Sequence, residues 1–277
     1  MQAISHRKAP QRGFTLIELV MVIVIMGVIG GVVSVFLRSP IDAYFASARR
    51  AALTDVADGT LRRMARDVRK ALPNSLRTPS TPSANQCLEF IPTKTGGRYR
   101  ADDTSAGLNF AVADTSFNML GQNSALPVDQ QIVAGDYIAV YNLGVTGVDA
   151  YNQDNTSPVT ALGAESGGET PITITSKLFP LASGSNRFHV IPAAERVVSY
   201  VCSGNNLYRT VNSASFTSSC PTTGGAVLAT HVSSCYFDYS GVDLSRNAMV
   251  RIVLKMQDST GTETVEMQQE IHVNNTP

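Results

Sequence analysis

The sequence has few charged residues and no excess of either sign. Only 16% of its 277 residues are charged, and 22 lysines and arginines balance 22 aspartates and glutamates. A chain without net charge has no overall attraction to nucleic acid or acidic lipid, so any such attraction must be local. The hydrophobic content of 43% suffices for a folded core, which argues against a disordered or fibrous chain.

Signatures of catalysis are also missing. The sequence contains no G-x-S-x-G nucleophile elbow, no P-loop and no dinucleotide fingerprint. Asp149, Asn152 and Asp154 offer an oxygen-rich calcium loop, but the Gly and terminal Glu of an EF-hand loop are missing, which favours an ordinary solvated loop. We therefore expect no enzyme activity, no cofactor and no metal site. The histidines are far apart in the sequence: His6, His189, His231 and His272.

The four cysteines lack the spacing of a metal site, since none belongs to a C-x-x-C pair or lies close to a histidine. They are Cys87, Cys202, Cys220 and Cys235. Two disulfides are the simplest interpretation, and buried free thiols in a cytosolic protein are the alternative. The polar stretch 203–219 resembles a hairpin plus loop that a local bridge would close, which favours Cys202 with Cys220 and leaves Cys87 with Cys235.

One long apolar segment lies near the N-terminus. Residues 14–37 hold 24 positions with a single charge, Glu18. At about 1.5 Å per residue, such a helix can cross a hydrocarbon core of about 30 Å. The 13 residues before it carry three basic side chains and no acidic one, so we expect them to stay cytoplasmic. No small-x-small cleavage site follows the apolar run, which argues against a secretory signal.

The junction in front of the apolar run carries a specific motif, Arg12-Gly13-Phe14-Thr15-Leu16-Ile17-Glu18. This tract resembles the cleavage motif of type IV prepilins and of type II secretion pseudopilins. The resemblance implies that a prepilin peptidase cuts between Gly13 and Phe14 and methylates the new amino group of Phe14. It also implies that Glu18 neutralises the amino terminus of a neighbouring subunit during filament assembly.

The cost of burying Glu18 supports such a role. A carboxylate at mid-membrane costs roughly 2.5 to 3.5 kcal/mol, and less near the interface. Pairing with an amino terminus would offset that cost. The alternative is a lone glutamate that reaches the headgroups from an ordinary single-span anchor. Further along, Gly27, Gly30 and Gly31 predict a deformable span.

An amphipathic helix is predicted to follow the span. Pro40 predicts a kink or a brief break, and apolar residues then recur at helical spacing until about Leu72, before Pro73. The segment 59–77 is dense in basic residues. Because no aromatic residues interleave with the arginines, we interpret it as a solvated face and do not expect a nucleic-acid partner. Two ion pairs are predicted at i,i+4 spacing: Asp58 with Arg62, and Arg63 with Asp67.

From Cys87 onward, runs of alternating residues predict an antiparallel sheet with one face on the core. A hairpin turn is predicted after Ser203 and another between Asp258 and Glu263. Residues 145–170 are rich in Gly, Asn, Asp and Ser and are predicted to form a mobile loop. The predicted strands are 87–91, 137–142, 171–175, 187–191, 196–202, 206–211, 232–239, 248–257 and 264–273.

Looser similarities extend into the C-terminal region. The phrases 92–100, 135–144 and 198–202, the last followed by 207–209, resemble the O-type minor pilins of mannose-sensitive haemagglutinin (MSHA) pili. The tract 62–69 is similar both to that subgroup and to the J-type minor pseudopilins of type II secretion. Together these resemblances imply a minor pilin that helps to initiate assembly or presents a binding surface. The alternatives are a minor pseudopilin, a DNA-uptake minor pilin and a membrane-anchored enzyme.

The expected fold is α+β and type IV pilin-like, with one long N-terminal helix packed on an antiparallel, disulfide-bonded β-rich head. Its expected parts are a cleaved leader 1–13, a membrane-spanning helix 14–38, an amphipathic helix 39–72 and a head 73–277. The implied partners are other pilin subunits, the prepilin peptidase, the inner membrane and an inner-membrane assembly platform. The implied location is a single pass of the inner membrane with a periplasmic head, and then a pilus at the cell surface that serves cell adhesion.

Overall fold

The computed structural model describes residues 13–79, 86–101, 106–217, 220–221, 225–239 and 247–277. By its internal contacts the chain divides into two units, Met1–Ala51 and Ala52–Pro277. Within the described residues, one long helix is followed by thirteen strands in three antiparallel sheets. The expected α+β fold, with a long N-terminal helix, an antiparallel β-rich head and two disulfides, is confirmed.

The helix α1 spans Leu16–Val68. The strands are β1 Cys87–Phe90, β2 Thr95–Arg98, β3 Asp114–Leu120, β4 Tyr137–Ala139, β5 Thr156–Leu162, β6 Glu169–Lys177, β7 Arg187–Ile191, β8 Val197–Ser203, β9 Asn206–Asn212, β10 Ala226–Thr230, β11 Val232–Tyr239, β12 Asn247–Gln257 and β13 Thr264–Asn274. Two short 3-10 helices cover Asn123–Ala125 and Ala150–Asn152. All nine predicted strands are present. Strands β7 and β11 have the predicted bounds and the other seven have shifted ends, whereas β2, β3, β5 and β10 were not predicted.

The boundaries of α1 differ from the sequence-based expectation at two places. The helix continues through Pro40, so the expected break is wrong; helical turns on both sides of Pro40 hold the backbone across the one missing N–H donor. The helix ends at Val68 and not at Leu72. Beyond Val68 the chain runs along β1, because the amide of Leu72 donates to the carbonyl of Ile91 over 2.7 Å.

The first hydrophobic core lies between the C-terminal part of α1 and two sheets. One sheet has the order β1-β8-β9-β10, and the other has the order β11-β12-β13. Helix residues at three- and four-residue spacing form one buried stripe, as an amphipathic helix requires. Both sheets contribute side chains to this core, so the helix holds them together. The stripe consists of Leu53, Ala57, Leu61, Met64, Ala65 and Val68.

The six strands β2 to β7 form a separate sheet, which we call the insertion. Its strands β2 to β7 lie in the chain between β1 and β8, which are direct neighbours in the first sheet. The strand order is β2-β7-β4-β5-β6-β3, and an isolated bridge between Tyr99 and Met119 joins its two edge strands. The sheet thus closes around a core of its own that includes Phe117, Ile138 and Phe188.

The expectation of a mobile loop at residues 145–170 is wrong. This segment contains a 3-10 helix and all of β5, and Val159 is 2% exposed. Its polar composition hid the strand, because the polar side chains are used inside the sheet. Ser157 donates its hydroxyl to the carbonyl of Thr175 over 2.6 Å, which satisfies both groups without water.

The disulfides pair differently from the sequence-based expectation. The structure joins Cys87 to Cys220 and Cys202 to Cys235, so the pairing Cys202 with Cys220 and Cys87 with Cys235 is wrong. The reason is strand alternation. Cys87 lies opposite Val201 in the register of β1 and β8, so these two share a face, and Cys202 points to the other face. There it meets Cys235 in the first core.

One of the two predicted helix ion pairs is present. Asp58 and Arg62 approach to 2.7 Å. The prediction for Arg63 with Asp67 is wrong, because Asp67 faces the sheet. Its carboxylate accepts a hydrogen bond from the hydroxyl of Tyr200 over 2.6 Å and another from Nε of Arg209 over 3.0 Å. Asp67, which the sequence placed on a solvated face of the helix, therefore links α1 to the sheet through hydrogen bonds.

A pH dependence of stability follows from His189 on β7. Burial, with a smaller effect of the Arg187 charge, lowers the pKa of His189 from 6.5 to about 4. Between these values the unfolded chain binds a proton that the folded chain does not, so stability falls as pH drops from 6.5 to 4. We expect a loss on the order of 2 kcal/mol across this range. The free energy of unfolding, measured by urea titration at several pH values for the wild type and for His189→Leu, tests this expectation. An equally steep fall of that free energy with decreasing pH in the variant would contradict it.

Candidate functional site

The junction between Gly13 and Phe14 lies at the start of the described chain, just before α1. Gly13, Phe14 and Thr15 have no regular secondary structure, and the Phe14 side chain is 88% exposed. A protease must bind its substrate in an extended form, so a peptide bond outside the helix is suited to cleavage. The predicted cut between Gly13 and Phe14, and the methylation of Phe14, remain predictions.

Thr15 and Glu18 form a reciprocal cap at the N-terminus of α1. The Thr15 backbone N–H donates to Oε2 of Glu18 over 2.9 Å, and the Thr15 hydroxyl donates to the same oxygen over 3.0 Å. In the other direction, the Glu18 N–H donates to the Thr15 hydroxyl oxygen over 3.3 Å. This is the geometry of a capping box, in which two helix-end donors that lack helical partners are satisfied by side chains.

The capping box gives Glu18 a role within a single chain. Its carboxylate accepts hydrogen bonds at the helix N-terminus, where the helix dipole favours negative charge. The carboxylate therefore lies beside Thr15, the residue that follows Phe14. Cleavage after Gly13 would create an amino group on Phe14, next to this position. Sequence reasoning missed this cap, although the T-x-x-E pattern from Thr15 to Glu18 is its usual signal.

The first unit presents apolar side chains that are left exposed in the part of the chain that the structure describes. Within the described residues, α1 is the one helix long and apolar enough to cross a membrane: its most apolar window has a mean hydropathy of 2.8, and none of that window is buried. Phe36, for example, is 78% exposed. A continuous apolar surface of this kind needs lipid or other helices around it.

Two partly buried ion-pair clusters fasten the head where α1 ends. Arg209 donates to Asp67 of the helix and to both carboxylate oxygens of Glu195 at 2.9 and 3.0 Å. The second cluster joins Arg77 to the fully buried Glu89 at 2.6 Å. Burial raises the pKa of Glu89, against the opposing charge of Arg77. These clusters are positioning elements of the head, since each partner is already satisfied within the chain.

The residues considered for calcium are used in local structure. Asp149 caps the 3-10 helix by accepting from the Tyr151 amide over 3.0 Å, and Asp154 accepts from the Asp149 amide over 3.1 Å. In the part of the chain that the structure describes, no three His, Cys, Asp or Glu side chains are grouped as a metal site would require.

Comparison with known proteins agrees with the site at the N-terminus. Residues 8–34 match the family model of the prokaryotic N-terminal methylation motif. No curated protein and no solved structure matches the chain. The motif, the capped apolar helix and the disulfide-bonded antiparallel head together indicate a type IV pilin-like protein or pseudopilin. They fit a membrane-anchored subunit with a structural role that is processed by a prepilin peptidase and assembles with other pilins.

A testable consequence concerns the capping box itself. Replacing Thr15 with Val removes the hydroxyl that accepts from the Glu18 amide, and the loss of such a cap costs about 1 kcal/mol. We therefore expect the Glu18 amide to exchange its hydrogen roughly fivefold faster in Thr15→Val than in the wild type. Hydrogen exchange of the detergent-solubilised chain by NMR measures it. Thr15→Ser is the matched control and should exchange like the wild type, whereas equal rates in all three would contradict the cap.

Proposed function

We propose that this pilin-like chain is a minor type IV pilin of the MSHA type, a low-copy subunit that helps to initiate a pilus or presents its head as a binding surface. The observation that carries the proposal is the N-terminal site: an exposed Gly13-Phe14 junction directly before a capped apolar helix whose surface is uncovered. In this proposal the leader is residues 1–13, the span is 14–38, the amphipathic segment is 39–72 and the head is 73–277. The helix within the amphipathic segment ends at Val68.

The proposed mechanism is assembly. Cleavage after Gly13 frees the amino group of Phe14, and the apolar part of α1 leaves the lipid for the interior of the filament. Glu18 pairs with the amino terminus of a neighbouring subunit, which offsets the burial of both charges. The cap supports this step, because it holds the carboxylate at the N-terminal end of the helix before the neighbour arrives.

The head supports a specialised subunit. The insertion adds a six-stranded closed sheet to a head that already has a complete core around α1. A part that is not needed to bury the helix is available for recognition. A minor pseudopilin of type II secretion is the second candidate, favoured by the similarity of the tract 62–69 to that group. A head that binds duplex DNA would instead indicate a DNA-uptake pilin.

Two variants separate the charge of Glu18 from its cap. Glu18→Gln keeps an acceptor oxygen for the Thr15 amide but removes the charge, whereas Thr15→Val weakens the cap and keeps the charge. If Glu18 acts through its charge, Glu18→Gln reaches the membrane and is cleaved, but it enters sheared filaments at least tenfold less than the wild type. Thr15→Val assembles within about twofold of the wild type.

The readout is quantitative immunoblotting of the membrane and filament fractions in the native cell. Normal assembly of Glu18→Gln would contradict the proposed charge pairing. Recovery of the wild-type chain with secretion components, and never with pilus subunits, would favour the pseudopilin.

A further inference from the structure

Two arginines lie directly opposite each other on the outer face of the insertion. In the antiparallel register of β2 and β7, Arg98 is the partner of Arg187, and both side chains are exposed. Direct cross-strand partners have Cβ atoms about 4.5 to 5.5 Å apart, and like charges at such positions destabilise a sheet. The two positive charges at this cross-strand position therefore repel each other, and an anion bound between the guanidinium groups would offset the repulsion.

The other arginines of the head are engaged within the protein. Of the six arginines that the structure describes in residues 86–277, four donate hydrogen bonds: Arg100 to Glu169, Arg196 to the Ala214 carbonyl, Arg209 to Asp67 and Glu195, and Arg251 to Gln268. In that same described part, Arg98 and Arg187 show no such bond. Among these six arginines, the two that lie opposite each other are thus the two whose N–H groups donate no hydrogen bond within the described chain.

A shallow groove lies beside the next cross-strand pair on the same face of the sheet. Gly96 lies opposite His189, two residues along from the arginine pair, and the groove has a volume of about 260 Å³. Since Gly96 has no side chain, a ligand can approach the backbone there. Nε2 of His189, a buried atom, has no hydrogen-bond partner. The lining residues are Gly96, Gly97, Arg98, Arg187, Phe188 and His189.

We propose that this groove is an oxyanion-binding site that takes a carboxylate or sulfate group, with Arg98 and Arg187 as the two charged donors. Guanidinium groups bind such anions through parallel N–H donors, and these charge-assisted bonds are stronger than neutral ones. His189 is neutral near pH 7, because burial lowers its pKa to about 4, so the two arginines supply the charge. The site is separate from the N-terminal motif, and its existence does not depend on filament assembly.

The test uses the full chain in a non-ionic detergent, at constant ionic strength. Sodium glucuronate is the probe, glucose is its neutral counterpart, and binding is followed by ligand-detected NMR. We expect glucuronate to bind, glucose not to bind, and sodium sulfate to displace glucuronate. If sulfate displaces glucuronate and acetate binds as tightly as glucuronate, the site recognises the oxyanion alone. If acetate binds more weakly than glucuronate, the sugar ring adds contacts.

The variants locate the site. Arg98→Gln and Arg187→Gln should each weaken glucuronate binding about tenfold, which corresponds to one charge-assisted contact of about 1.4 kcal/mol. Arg251→Gln, an exposed arginine of another sheet, is the matched control and should bind like the wild type. Arg98→Lys keeps the positive charge but lacks the planar guanidinium group. Its affinity for glucuronate should lie between those of the wild type and Arg98→Gln.

A stability measurement guards against misfolding. Arg98→Gln should not lower the thermal unfolding midpoint, since it removes a repulsion. Absence of glucuronate binding by the wild type, or an equal loss in Arg251→Gln, would overturn the proposal.

Discussion

The burial of one helical stripe holds the folded unit together. Leu61, Met64 and Val68 are at most 2% exposed, and they contact side chains from both the four-stranded and the three-stranded sheet. Along its N-terminal half the same helix is exposed, and among the described residues nothing buries its apolar side chains. One element therefore supplies both the core of the head and the surface that requires lipid or neighbouring subunits.

The N-terminal end of this helix shows how a costly charge can be tolerated before assembly. In the single chain, Glu18 accepts hydrogen bonds from Thr15 and completes the helix cap. The capped carboxylate remains close to the residue whose amino group cleavage would expose. A neighbouring amino terminus would have to compete with, or add to, the hydrogen bonds from Thr15. In the proposed assembly, the capped chain is the reference state against which the free energy of pairing with a neighbouring amino terminus is measured.

Much of the architecture could be predicted from the sequence, because strong signals coincide there. The apolar run, the amphipathic spacing after it and the strands β11 to β13 follow from periodicity alone. The hairpin at Gly204 and Asn205 was also predictable, and both residues have the positive φ that such a tight turn requires. The Gly13-Phe14 junction and the position of Glu18, four residues into the apolar run, indicated the class of the N-terminal site.

Other features depend on long-range register, which a single sequence does not show. The disulfide pairing follows from the face of β8 on which Cys202 lies, and that face is set by pairing with β1, more than 100 residues away. The closed sheet of the insertion was missed because β2 and β5 are polar or glycine-rich and are stabilised by cross-strand hydrogen bonds. The opposition of Arg98 and Arg187 is likewise a matter of register.

The intact mass of the protein purified from its native membrane shows whether the chain is processed as a prepilin. We expect a chain that begins at Phe14 with a methylated amino group, and an uncleaved chain when Gly13 is replaced by Ala. An intact N-terminus in the wild type, or a cut after the apolar run, would contradict it and would leave an ordinary membrane anchor.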